Sequence, residues 1–326
     1  MRVAIVGCGQ IGQKRAKSLG ESRLVAVADA DTTRAGRLAA QFPGCHASGD
    51  WESVIGRKDV DIVIVSTTNN MLARITRAAV EQDKHVLVEK PAARNPAELR
   101  PLVKVAREAG VVVKVGFNHR FHPALAKART ILAAGELGPL LYIRARYGHG
   151  GRLGYDREWR ADPAIAGGGE LLDQGVHLID LTRWFAGEVI EVRSYIGTFY
   201  WDMPVEDNGF LFLKMDQGNV AWLHASCTEW KNLFSFEIFG RTGKLQIDGL
   251  GGSYGVERLS FFRMLPEMGP PETTIWEYPG EDLSWRREFA HFLGCIQQGI
   301  RPDGTLEDAL AALEVVQRAY EQARTQ

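Results

Sequence analysis

Lys90, Asp173 and His177 are the side chains whose types and settings suit moving a proton and holding a developing alkoxide. Side chains three and four residues apart on a helix share a face. The run from Gly167 to Asp180 (Gly-Gly-Gly-Glu-Leu-Leu-Asp-Gln-Gly-Val-His-Leu-Ile-Asp) reads as a helix opened by three glycines, which aligns Asp173, His177 and Asp180. Leu171, Leu172, Val176, Leu178, Ile179 and Leu181 wrap the remaining circumference. The helix is therefore expected to be buried, with its polar stripe hydrogen-bonded or facing a wet cleft. A carboxylate and an imidazole one turn apart suit proton transfer on a polyol: the acid holds a hydroxyl or orients the ring, and the imidazole accepts a proton near neutral pH. An internal Asp–His pair that satisfies only itself is the other reading of these residues. Gly175, inside the helix, costs about 1 kcal/mol relative to Ala and implies close packing there.

These groups need elements to hold them and a partner for the chemistry. Val3–Val6 reads as a short strand, followed by Gly7-Cys8-Gly9-Gln10-Ile11-Gly12 and a helical stretch to about Leu19. This is a GxGxxG loop between a strand and a helix: Gly7 for the tight turn, Gly9 for backbone approach to a pyrophosphate, Gly12 for close helix–sheet packing. Gln10 and Ile11 complete the loop. The next apolar run, Leu24–Ala28, ends in Asp29, twenty residues beyond Gly9. An acid there accepts hydrogen bonds from the adenosine ribose and repels a 2′-phosphate, which favours NAD over NADP. Arg34 is near enough in sequence to act against that preference.

Alternation then continues: helices Asp31–Gln41, Trp51–Gly56, Asn69–Gln82 and Pro96–Ala109, with strands Asp61–Ser66, His85–Val88 and Val111–Val115. Strand, helix, strand at this spacing means a parallel sheet covered on both faces. Ligands of such sheets sit at the carboxyl ends of the strands. That singles out Ser66, Thr67 and Asn69, then Glu89-Lys90-Pro91, then the segment Gly116–Arg120 with Asn118. Proline fixes the turn after Lys90 and favours an extended backbone before it. The lysine then presents its ammonium to a nicotinamide and a reacting oxygen, or is a surface lysine in a rigid turn.

After Arg120 the pattern changes. Phe121–Ala134 reads as a crossover helix, Leu140–Tyr147 as a strand and Gly148–Ala166 as a long loop. Seven strand-like runs follow the helix at Asp173: Val189–Phe199, Asn208–Met215, Asn219–Thr228, Phe234–Phe239, Lys244–Ile247, Leu259–Met264 and Thr273–Tyr278. Their short turns imply an antiparallel sheet. Helices Ser284–Gln298 and Leu306–Arg324 close the chain, either within the second domain or returning to brace the first. The division expected is a dinucleotide-binding domain over residues 1–120 and a substrate-binding and oligomerisation domain over 121–326.

The long loop and the strand before it carry Arg144, Arg146, Arg152, Arg157 and Arg160 with His149, Tyr155 and Trp159, against Asp156 and Glu158. Such an excess can grip a carboxylate or phosphate on a sugar. Arg144 and Arg146 alternate with Ile143 and Ala145, which fits the polar side of a strand; Arg152, Arg157 and Tyr155 remain as substrate candidates. Glu229, Trp230, Lys231 and Tyr254 are weaker candidates for sugar contacts.

At 326 residues, 45% hydrophobic and 24% charged, the chain has the composition of a soluble globular protein with two domains. A formal net charge of -1 argues against a nucleic-acid or anionic-membrane footprint. Cys8, Cys45, Cys227 and Cys295 show no paired or metal-ligand spacing, so no metal is expected and cytoplasm is the default compartment.

The Gly7–Gly12 loop, Glu89-Lys90-Pro91 and the Gly167–Asp180 helix, in this order, resemble the glucose-fructose oxidoreductase/inositol dehydrogenase (Gfo/Idh/MocA) family over essentially the whole chain. The resemblance implies an α/β Rossmann domain plus an α+β domain with a large, mostly antiparallel open sheet, and homodimers or homotetramers built on that sheet. It implies Lys90 as the active-site lysine, Asp173 as a ligand of a substrate hydroxyl and His177 as the proton-transfer residue, all three touching substrate. It also implies that Trp159-Arg160 borders the cofactor. The expected activity is NAD-dependent oxidation of a secondary hydroxyl of a sugar, cyclitol or nucleotide-sugar. A glycosidase that oxidises its sugar transiently and a non-catalytic NAD-sensing regulator are the alternatives.

Overall fold

The computed structural model describes residues 1–267 and 269–323. The chain divides into two compact units: Met1–Phe117 with Ala164–Gly167 and Trp285–Leu313, and Asn118–Pro163 with Gly168–Ser284 and Glu314–Gln326.

In the first unit, β1 (Arg2–Val6), β2 (Arg23–Ala28), β3 (His46–Ser48), β4 (Ile62–Val65), β5 (His85–Val88) and β6 (Val113–Val115) form a parallel sheet in the order β3-β2-β1-β4-β5-β6. The central strands are uninterrupted Val, Ile and Ala because both faces are covered. Between the strands lie α1 (Gln10–Ala16), α2 (Thr32–Ala39), α3 (Trp51–Ile55), α4 (Asn69–Val80) and α5 (Pro96–Ala109). Asp31, Asp50 and Asn95 cap α2, α3 and α5 by accepting from backbone N–H groups of the first turn. One core joins Val3, Ile5, Ile62, Ile64 and Leu87 to Phe289 and Phe292 of the helix Ser284–Gln298. The strand β3 has no counterpart in the sequence reading, since His46-Ala47-Ser48 carries no apolar run.

The second unit begins with a 3₁₀ turn, Asn118–Phe121, then α6 (Pro123–Ala133) and β7 (Leu140–Gly148). The expected loop contains 3₁₀ turns at Tyr155–Arg157 and Trp159–Ala161, and α7 (Pro163–Ala166) follows. A π turn, Leu171–Gly175, runs into α8 (Val176–Ala186). Then come β8 (Val189–Gly197), β9 (Asn208–Met215), β10 (Val220–Ser226), β11 (Leu233–Gly240), β12 (Gly243–Asp248), β13 (Glu257–Arg263) and β14 (Glu272–Tyr278). With β7 they make an eight-stranded sheet, β14-β13-β12-β11-β7-β10-β9-β8, in which only β7 and β10 pair in parallel. Ile143, Ala145 and Tyr147 point to the face that α6 and α8 cover. On the other face Arg144 pairs with Glu237, which also meets Lys244 at 2.5 Å, so Arg144 lies on the solvated side, as its alternation implied. The chain closes with α9 (Ser284–Gln298) and α10 (Leu306–Ala323). Arg324, placed at the end of the last helix by the sequence, lies outside the described residues.

No helix among the described residues is long and apolar enough to cross a membrane, and no His, Cys, Asp or Glu cluster among them could hold a metal.

Candidate active site

The side chains singled out in the sequence fall into two sets, one in each unit. In the first, Gly7 has φ +97°, and a Cβ on it would come 2.4 Å from the carbonyl oxygen of Ser66. A Cβ on Gly12 would lie 2.0 Å from the carbonyl of Gly7, whereas one on Gly9 would meet nothing within 4 Å. The loop is thus tight at both ends and open in the middle, a cradle that fits a pyrophosphate against the Gly9-Gln10-Ile11 backbone. Ser66 Oγ donates to the carbonyl of Gly7 at 2.8 Å and holds the turn shut.

Asp29 stands at the end of β2. Its carboxylate accepts from Cys8 N at 2.7 Å and from Asp31 N at 2.9 Å, so it is fixed beside the loop and keeps a second lone pair on each oxygen for a ribose. Burial, with Asp29 nearby, pushes the Cys8 thiol up to about 12, which keeps it a neutral packing group. Arg34 pairs with Asp31 at 3.2 Å on the surface. After β4, Thr67 donates to the carbonyl of Thr68, and Asn69 is buried with its Nδ2 on the carbonyl of Ala166 at 2.8 Å. Glu89 directly follows β5 and is buried against Arg15, whose Nε lies 2.7 Å away. Lys90 follows, joined to Pro91 by a cis peptide bond.

The three glycines Gly167–Gly169 are not helical, and in the second unit Gly168 and Gly169 each clear a close neighbour. A Cβ at Gly168 would lie 2.1 Å from Tyr320 Oη, and one at Gly169 would lie 2.0 Å from the carbonyl of Glu206. Glu206, itself buried, accepts from Gly169 N at 3.0 Å, Leu171 N at 3.1 Å and Tyr320 Oη at 2.7 Å. This carboxylate, unmarked in the sequence, tethers the backbone where the π turn starts. Gly175 is tight as expected: a Cβ there would press on Leu171 at 2.8 Å and Ala225 at 3.2 Å.

Asp173 sits on the π turn with its carboxylate on Arg160 Nε at 3.0 Å, and the Arg160 guanidinium lies 4.6 Å from the Trp159 ring centre. His177, buried on α8, stacks on His119 with ring centres 3.7 Å apart. His119 Nδ1 is 3.1 Å from Asn118 Oδ1, and Asn118 Nδ2 donates to Ser284 Oγ at 3.0 Å. Asp180 does not remain an open member of the stripe. It is fully buried against Arg120, at 2.9 and 2.5 Å, which ties the Asn118–Phe121 turn to α8. Tyr147 packs on Tyr254 with ring centres 5.1 Å apart, and burial pushes the Tyr254 hydroxyl up to about 12.

Tyr155 is buried too, its hydroxyl donating to Glu170 at 3.4 Å. Burial, reinforced by Glu170 and Asp173, drives the Tyr155 hydroxyl far above its usual range, so it stays protonated and donates. Arg152 is spent on Glu158 at 2.7 Å, and Arg157 points to solvent with Asp156 3.9 Å away. The structure thus gathers Asp173, Arg160, Tyr155 and Glu170, and separately His177 with His119, within the second unit. Trp230 is largely exposed and meets Tyr200 edge-on at 4.6 Å. Glu170, His119 and Glu206 are the residues whose part the sequence reading did not assign; Glu170 and His119 lay in segments it had marked, Gly167–Asp180 and Gly116–Arg120, and Glu206 did not.

Known proteins resemble this chain along its length. Residues 1–117 match the oxidoreductase family with an NAD-binding Rossmann fold, and residues 125–246 match the GFO/IDH/MocA C-terminal domain. The chain is 28% identical over 331 residues to scyllo-inositol 2-dehydrogenase (NAD(+)) of Bacillus subtilis, covering 97% of this chain and 92% of that protein. It is 31% identical over 193 residues to levoglucosan dehydrogenase of Pseudarthrobacter phenanthrenivorans, a match covering 56% of this chain and 47% of that protein, so about half of that relative's length is spanned. Among solved structures, levoglucosan dehydrogenase in complex with NADH and levoglucosan superposes with a TM-score of 0.91 at 23% identity, covering 100% of this chain and 97% of that one, a likeness of fold.

Proposed function

The chain belongs to the Gfo/Idh/MocA family of NAD-binding oxidoreductases, and on that premise we propose that it transfers a hydride between NAD and a secondary hydroxyl of a sugar, cyclitol or nucleotide-sugar. The observation that carries the reading is the buried His177 imidazole, stacked on His119 and one turn from an aspartate held by an arginine. Burial of an imidazole without a task is costly, and here the fold spends a π turn and a glycine run to place it.

NAD, when bound, takes up the hydride that leaves the carbinol carbon. The hydroxyl proton leaves at the same stage, and His177 is assigned to receive it. Lys90 is assigned to the oxygen, where its ammonium stabilises alkoxide character as it develops. Asp173, oriented by Arg160, accepts a hydrogen bond from a neighbouring hydroxyl and so selects which carbon is presented. In the reductive direction the same groups act from the opposite protonation states. For the dinucleotide, the candidate contacts are the Gly7–Gly12 loop, Asp29, Arg34, Ser66, Thr67, Asn69, the backbone of Glu89, Asn118 and the Trp159-Arg160 pair. Tyr155, Arg152 and Arg157 are candidates for the sugar, the arginines only where it carries a carboxylate or phosphate.

The open face of the eight-stranded sheet exposes large apolar side chains along its width, Tyr142, Tyr195, Phe212 and Ile275 among them, which supports a homodimer or homotetramer. Four free cysteines support a reducing, cytoplasmic setting.

An NADH-linked screen over free sugars, cyclitols, uronates, sugar phosphates and UDP-sugars tests the reading. It expects steady NADH formation with at least one class, and His177→Ala lowering kcat by about 100-fold or more with NADH affinity kept. Unchanged turnover in His177→Ala rejects its role; net hydrolysis of a glycoside without NADH accumulation rejects the dehydrogenase.

A further inference from the structure

We propose that Arg15 is a positioning residue for Lys90, its buried guanidinium bridging Glu89, which precedes Lys90, to Glu288 on α9. The proposal rests on the reading of Lys90 as an active-site lysine. Arg15 lies in the last turn of α1, the helix that the Gly7–Gly12 loop opens. Its Nε and Nη2 lie 2.7 and 2.5 Å from Glu89 Oε1, and its Nη1 lies 2.5 Å from Glu288 Oε2. Lys114 on β6 reaches the other Glu288 oxygen at 3.4 Å and donates to the carbonyl of Asp303. Two cations and two carboxylates thus form a neutral cluster, with the Arg15 and Lys114 side chains and Glu288 each at most 1% exposed. Trp285 lies over the guanidinium at 4.4 Å. Space is reserved for the cluster: a Cβ at Gly116 would come within 2.7 Å of Arg15 Nη2 and 3.1 Å of both Glu89 oxygens.

Stability alone is a poor account of four buried charges, because apolar residues of similar volume commonly serve as well or better. A planar guanidinium adds direction: its fork fixes the carboxylates it spans relative to each other. Glu89 is the first residue after β5, and the next Cα along the chain, about 3.8 Å on, is that of Lys90. Anchoring the Glu89 side chain from α1 and α9 at once therefore anchors the backbone from which Lys90 projects. The two charges also interact directly, since Lys90 favours the ionised form of Glu89 against the burial that opposes it. Misplacing a reacting group by about 1 Å can cost about 100-fold in rate.

The test is the double variant Arg15→Met/Glu89→Gln, which deletes one charge of each sign and leaves the Glu288–Lys114 pair, so the buried cluster stays neutral. Urea unfolding, NADH fluorescence titration and steady-state kinetics on a sugar found active by the screen are compared with wild type, Arg15→Lys and Lys90→Met. The expected result is an unfolding midpoint and NADH affinity near wild type, a fall in kcat of about 100-fold with KM little changed, and partial recovery in Arg15→Lys, whose ammonium meets one carboxylate rather than spanning two. Full kcat in the double variant, or a loss confined to NADH affinity, overturns the proposal. Full kcat in Lys90→Met instead overturns the role of the lysine itself, a separate outcome. If the double variant does not fold, Arg15→Lys decides: reduced kcat at unchanged NADH affinity supports the proposal and unchanged kcat overturns it.

Discussion

At the scale of single residues, the glycines of the first loop separate two demands that look alike in the motif. Gly9 has an ordinary φ of -69° and open space beyond it, so Ala is accommodated in the fold, but its methyl occupies the volume a pyrophosphate would take. Gly9→Ala is expected to leave the thermal midpoint within about 2 °C while weakening NADH binding about tenfold or more, by calorimetric titration. Gly12→Ala is expected to do the reverse in order of cause: a Cβ 2.0 Å from the Gly7 carbonyl forces the helix off the sheet, and the protein loses stability before cofactor affinity can be measured. Asp29 is the residue proposed for the adenosine end. Both its oxygens are anchored to backbone amides, so its charge cannot swing away from a 2′-phosphate. Asp29→Ser is expected to lower the preference for NAD over NADP, read as the ratio of the two kcat/KM values, by about tenfold. An unchanged ratio would remove Asp29 from the cofactor site.

At the scale of elements, the start of the π turn is held by one carboxylate. Glu206 joins the glycine run to α10 through Tyr320, and Gly168 is glycine because the Tyr320 hydroxyl occupies its Cβ position. Gly168→Ala is expected to cost about 2 kcal/mol and Tyr320→Phe about 1 kcal/mol, the latter for one hydrogen bond to a buried carboxylate. The double variant Gly168→Ala/Tyr320→Phe is expected to cost less than the sum, because deleting the hydroxyl frees the space the methyl needs. Strict additivity in denaturant unfolding would mean the two residues do not contend for that space. This element shows what a sequence discloses. The strand, loop, helix and acid of the first unit were legible because their signals lie within about thirty residues of one another and each has a local backbone cause. The glycine run was visible as a motif, but its reasons, Tyr320 and the Glu206 carbonyl, lie far along the chain. The Arg120–Asp180 pair, 60 residues apart, turned a residue of the expected polar stripe into a clamp, and the Arg15–Glu288 contact spans 273 residues. Nothing periodic announces such pairings; only a completed fold brings them together.

At the scale of the whole molecule, acid is the condition under which the second sheet is expected to lose stability. His224 on β10 stacks on Phe210 at 4.1 Å, with its Nε2 2.9 Å from Asn208 Oδ1 and its Nδ1 3.7 Å from Glu229. Burial, aided by the positive charge of Arg146, holds this imidazole down at about 4, against 6.5 for an exposed one. The sign follows from proton uptake. Between pH 6.5 and 4 the unfolded chain binds a proton at His224 that the native chain refuses, so the stability tied to this group is complete above 6.5 and declines through that window. The full effect is at most about 3 kcal/mol, a large part of an ordinary domain's reserve. Burial depresses His85 and His291 as well, so the first unit loses stability in the same direction. His224→Asn should therefore flatten, without abolishing, the fall in urea midpoint between pH 7 and pH 5. Because His224 lies on the face proposed to join subunits, sedimentation velocity on the same samples separates the causes: dissociation preceding unfolding in wild type and delayed in His224→Asn places the titration at a subunit contact, while a slope identical in both proteins removes His224 from the acid response.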